Sequence, residues 1–102
     1  MNAYTEQANP APMTAEVYKD IKDFLFSNID AFRKDADEYE YLELTVAVSE
    51  NGDTWNYQTG DNSFTGGAYS LPHWAVTSVY PDTDPADLYD EIINQLEELL
   101  CR

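Results

Sequence analysis

Side-chain chemistry needs a nucleophile with a base beside it, or paired groups held at different pKa values. This chain has one histidine, His73, between Pro72 and Trp74, and one cysteine, Cys101, next to the last residue. His73 would act as a general base only if the preceding loop brought Ser63 or Asp61 within reach. A histidine at a strand start is more often structural or exposed. Cys101 has only Arg102 as a basic neighbour and does not read as an activated thiolate. Asp61-Asn62-Ser63 lacks the alternating ligand spacing of a calcium loop. One histidine and one cysteine cannot make a structural zinc site. The expectation is a non-enzymatic protein without catalytic residues, metal or cofactor.

What the chain has in quantity is carboxylate. Between Asp35 and Cys101 there are fifteen acidic residues and no lysine or arginine. The positive charge is confined to Lys19, Lys22, Arg33, Lys34 and Arg102, for a net charge of −15. Soluble surfaces normally intersperse both signs. A surface of one sign repels nucleic acid and draws basic proteins. The most regular acids are Asp87, Asp90, Glu91, Glu97 and Glu98, which with Asn94 recur at three- and four-residue intervals. On a helix these share one side. A rise of about 1.5 Å per residue repeats carboxylates every ~5 Å, roughly the scale of a phosphate row with its rise of about 3.4 Å per nucleotide. The ordinary alternative is a solvated helix face. Like charges four apart destabilise a helix by a few tenths of a kcal/mol, so their accumulation without compensation favours a functional surface.

A second candidate contact is the segment from Tyr57 to Trp74, which holds three of the four glycines and the aromatics Phe64 and Tyr69. Long loops in small domains are often binding loops, and aromatics near acids suit a basic partner. The alternative is a hairpin connection with glycine at positive-φ positions. Phosphate cradling is disfavoured, because no basic residue lies near these glycines.

The elements that must carry these residues are readable. Residues 1–13, with Pro10 and Pro12, read as a flexible lead-in, and residues 14–102 as one domain. Thr14 caps a helix whose stripe is Val17, Ile21, Phe24, Leu25, Asn28 and Phe32, and Lys34 with the acidic segment Asp35 to Glu40 ends it. Leu42, Leu44, Val46 and Val48 alternate with Glu43, Thr45, Ala47 and Ser49 as a half-buried strand. Asn51-Gly52 predicts a two-residue turn, pairing Glu50 with Asp53, Val48 with Trp55, Val46 with Tyr57 and Leu44 with Thr59. A third strand spans about His73 to Tyr80, between Pro72 and Pro81. Asp84-Pro85 opens the last helix, whose stripe is Leu88, Ile92, Leu96, Leu99 and Leu100.

This order predicts an α+β fold, α-β-β-β-α, with a three-stranded antiparallel meander and both helices on one face. The other face, with Glu43, Thr45, Ala47, Ser49, Thr54, Asn56 and Gln58, and Ala75, Thr77 and Val79 from the third strand, is expected to meet water or serve as a flat contact surface.

A chain of 102 residues with 43% hydrophobic content supports one folded core. The charge predicts stability that rises with salt. No apolar run long enough to span a bilayer is present, and neither is the basic-then-apolar pattern of a signal peptide, so a cytoplasmic protein away from membranes is expected. In size, charge and want of catalytic residues the whole chain resembles small acidic proteins of phages and mobile elements: DNA mimics, anti-restriction proteins and anti-CRISPR proteins. The resemblance implies an inhibitor that occludes a basic nucleic-acid-binding protein and does not itself bind nucleic acid. It transfers no residue roles. The alternatives are an interaction module using the open sheet face or the 60–73 loop, and a general acid enrichment for a saline cytoplasm. Oligomeric state is left open.

Overall fold

A computed structural model describes residues 11–60 and 67–101. Helix α1 spans Ala15–Tyr39, strand β1 Leu42–Val48, β2 Trp55–Thr59, β3 His73–Val79 and helix α2 Pro85–Leu100, with a 3₁₀ turn at Gly67–Ser70 before β3. The fold is α+β in the order α-β-β-β-α, with an antiparallel sheet and both helices packed on it.

Both helix starts follow from their caps. Thr14 Oγ1 accepts from Val17 N at 3.2 Å, and Asp84 Oδ1 from Ala86 N at 2.9 Å with Pro85 in the first turn. Each cap satisfies an amide that has no partner inside its helix. The α1 stripe extends beyond Phe32: Ile29 and Ala36 are buried with Val17, Ile21 and Leu25, and the acidic stretch from Asp35 remains helical to Tyr39. Ala36 lies four residues past Phe32, so burial of one small side chain prolongs the helix through a charged run.

The strand order is β2-β1-β3, so β3 pairs with β1 and not with its predecessor β2. The sheet therefore differs from a sequential meander, and β1 is its centre. The β1–β2 register is the expected one, with Val48 opposite Trp55, Val46 opposite Tyr57 and Leu44 opposite Thr59. The turn is wider than two residues. Gly52 N donates to Ser49 O at 3.0 Å, Ser49 N donates to Thr54 O at 2.9 Å, and Gly52 sits at φ +69. Ser49 Oγ donates to Asp53 Oδ1 and accepts from the amides of Asp53 and Thr54. This network makes four residues, 50–53, the loop.

The lead-in reaches into this turn. Thr14 N donates to Gly52 O at 2.9 Å, and Met13 is buried in the core. A side chain at Gly52 would strike the backbone of Pro12 and Met13. Met13 therefore belongs to the folded domain and not to a flexible lead-in; residues 1–10 lie outside the described ones.

The β1–β3 register reverses one face assignment. Val79, Thr77 and Ala75 stand opposite Leu42, Leu44 and Val46, on the helix side, and all three are buried. The second face carries Thr45, Ala47, Gln58, Trp74 and Val76. It is covered in part: Thr45 and Ala47 are fully buried and Gln58 is nearly so, whereas Asn56, Trp74 and Val76 are exposed. The 3₁₀ turn packs on β1 and β2, with Ala68 buried, as the chain passes to the far side of β1. The 3₁₀ turn thus takes part of the place expected for water or a partner. Thr45 and Thr77 lie on opposite faces, which removes them as one contact surface.

Side-chain amides occupy backbone groups on both edge strands. Gln95 on α2 accepts from Val76 N at 3.1 Å and donates to Val76 O at 3.2 Å, as a neighbouring strand would. On β2, Asn56 Oδ1 accepts from Tyr57 N at 2.8 Å. Occupied edge groups discourage pairing with another sheet.

Candidate functional site

The acids of α2 sit on a well-anchored support. Leu88, Ile92, Ile93 and Leu96 bury one side of the helix, which turns Asp87, Asp90, Glu91 and Glu98 outward, all exposed. The 16 residues span about 24 Å, equal to the axial rise of about seven nucleotides. The row is interrupted at Asn94, which is exposed and neutral.

Glu97 departs from expectation. It is half-buried, and Tyr18 Oη donates to its Oε2 at 2.7 Å, joining α1 to α2. Burial raises the Tyr18 pKa well above the ordinary tyrosine value, and the hydrogen bond and charge of Glu97 push it further. The same causes, burial first and then Glu97 and Asp90, raise Tyr89. Glu97 serves the helix interface, and the outward row consists of the other four acids. Its partner lies 79 residues away in sequence, so no local pattern announces it.

The described basic side chains all belong to α1, and three of them have internal uses. Lys19 pairs with Asp23 at 2.7 Å. Lys22 lies 5.9 Å from the ring centres of both Phe26 and Tyr89. Arg33 Nε donates to Thr83 O at 2.9 Å, holding the approach to α2. Of these, the Lys22–Tyr89 and Arg33–Thr83 contacts tie α1 to α2 and its approach, while Lys19–Asp23 lies within α1. None brings a positive charge onto the outer row of α2.

Of the loop candidates, Phe64 lies outside the described residues. Tyr69 falls within the 3₁₀ turn, and its side chain is likewise outside them. His73 is the first residue of β3, half-buried and opposite Val48, while Ser63 and Asp61 are outside the described residues. Cys101 is exposed just past α2. Among the described residues no three histidine, cysteine, aspartate or glutamate side chains form a group able to hold a metal ion, and no helix is long and apolar enough to cross a membrane.

Two clefts, which no local sequence signal marks, are lined by residues from the end of the sheet opposite the hairpin. One, of about 570 Å³, is lined by Tyr39, Tyr41, Leu42, Glu43 and Gly60. The other, of about 280 Å³, runs between β3 and α2 and includes Ser78, Tyr80, Asp82, Asp84, Asp87 and Glu91. Two residue pairs link their linings: Tyr41 and Tyr80, with ring centres 6.3 Å apart, and Glu43 opposite Ser78. Between Tyr39 and Tyr41, Glu40 adopts φ +80 and ψ −42, a conformation that non-glycine residues rarely hold. The α2 row thus begins inside a cleft that leads to exposed tyrosines.

No protein-family model, curated protein or solved structure matches the chain.

Proposed function

We propose that this chain is a non-enzymatic acidic binding protein that covers the nucleic-acid-binding surface of a basic partner protein, in the manner of a nucleic-acid mimic of the anti-defence type. The observation that carries the reading is the separation of charge. The described basic side chains lie on α1, whereas Asp87, Asp90 and Glu91 project together from α2 and, among the described residues, no lysine or arginine stands beside these three. A rigid row of like charge binds an oppositely charged groove without ordering itself first. The same charge disfavours direct contact with nucleic acid or with anionic membranes.

For the alternative of an interaction module using the sheet face, burial of Thr45, Ala47, Gln58 and Thr77 leaves Asn56, Trp74 and Val76 as the exposed part of that face. The test is the salt dependence of partner binding. Replacing Asp87, Asp90, Glu91 and Glu98 by Asn or Gln should weaken binding about a hundredfold at 0.1 M salt and flatten its salt slope, for four charge contacts screened over about 10 Å. Binding that is unchanged in this variant would remove α2 from the interface.

A further inference from the structure

We propose that the tyrosine cleft at the junction of α1 and β1 receives an arginine side chain of the basic partner. The inference rests on the partner chemistry just proposed and adds a second, chemically distinct contact to it.

The cleft combines two properties that select a guanidinium. Tyr39, Tyr41 and Tyr80 are 67%, 49% and 51% exposed, which is unusual for three large rings at one end of a small sheet. Tyr39 and Tyr41 share the larger cleft with Glu43, and among the described residues no basic side chain lines either cleft. A planar cation stacks on tyrosine faces while its N–H groups reach a carboxylate, and arginine does both better than lysine. Tyrosine and arginine are also the residues that most often dominate binding energy at protein interfaces.

Local backbone supports a built feature. The Glu40 conformation turns the chain sharply enough that residues on both sides of it, Tyr39 and Tyr41, line one cleft. Glycine would adopt that φ without strain, and strained residues gather at binding sites. The smaller cleft continues from Tyr80 past Asp82 and Asp84 to Asp87 and Glu91. A basic segment with one arginine on the tyrosines would thus extend along the α2 row.

The test compares hexa-arginine and hexa-lysine peptides, equal in charge, titrated into the full chain at 0.15 M salt. The expected preference for arginine is about five- to tenfold, the range of an exposed to partly desolvated cation–ring contact. It should fall to near unity in Tyr41→Leu/Tyr80→Leu and survive in Tyr41→Phe/Tyr80→Phe, which keeps the rings. In the unmodified protein, the ring resonances of Tyr39, Tyr41 and Tyr80 should shift with hexa-arginine. Equal affinities for the two peptides, or a preference that persists in the leucine variant, would overturn the cleft assignment. Asp90→Asn/Glu91→Gln/Glu98→Gln separates the two proposals. It should weaken both peptides alike and leave their ratio intact, so loss of the ratio alone condemns the cleft, and indifference to these three changes condemns the α2 row alone.

Discussion

The two ends of β1 turn the chain by opposite means. At the hairpin end the positive φ falls on Gly52, whose missing side chain admits the Pro12–Met13 backbone, and Ser49 and Asp53 tie the loop together. At the other end the positive φ falls on Glu40, which is not a glycine, beside exposed tyrosines and an open cleft. The first end is arranged for stability. The second keeps strain and exposed aromatic surface, and it is the end to which the proposed arginine contact is assigned.

The largest test of this contrast is Gly52→Ala. A β-carbon there would lie 2.8 Å from Met13 Cα and strike Pro12 O as well. With the cost of a non-glycine left-handed residue added, about 3 kcal/mol should be lost in urea unfolding. A loss below about 1 kcal/mol would mean that the lead-in is not held against the turn. Glu40→Gly should act in the opposite sense and stabilise by about 1 kcal/mol, because the strain disappears. Glu40→Gln keeps the strain and removes the charge, so it should change stability by only a few tenths. If the glutamine variant matched the glycine variant, charge and not backbone would be the cause.

How much of this was legible follows from how local each feature is. The β1–β2 register was, because alternation from Leu42 to Val48 and a turn at Asn51-Gly52 constrain each other. The placement of β3 was not. Nothing between Gly60 and Pro72 states that the chain passes across β1, and that passage decides which face of β3 is inward. The acid run from Asp35 hid one more turn of α1 because only Ala36 carries its stripe onward. The acidic row of α2 was visible as a helical pattern, but the diversion of Glu97 to Tyr18 was not. The tyrosine cleft needs three elements that come together only in the fold.

A smaller effect should appear at alkaline pH. The Tyr18 pKa is raised in the folded state by burial and by Glu97. Its contribution is complete below the unfolded value of about 10 and is lost as pH rises above it. Stability should therefore fall above pH ~10. Tyr18→Phe should show a shallower alkaline decline, and an identical decline would mean that the Tyr18–Glu97 contact is not formed. Tyr18 and Tyr89 are both raised, by burial first and then by Glu97, so the decline should report the helix interface.

The central claim is that the uncompensated acids exist to meet a surface built for nucleic acid. The most direct test captures partners on the immobilised chain and challenges the captured protein with duplex DNA or RNA. The account predicts a basic nucleic-acid-binding protein that the nucleic acid displaces and that the Asp87/Asp90/Glu91/Glu98 variant fails to retain. A captured partner that is not basic, or one that holds the chain equally well with nucleic acid bound, would contradict it.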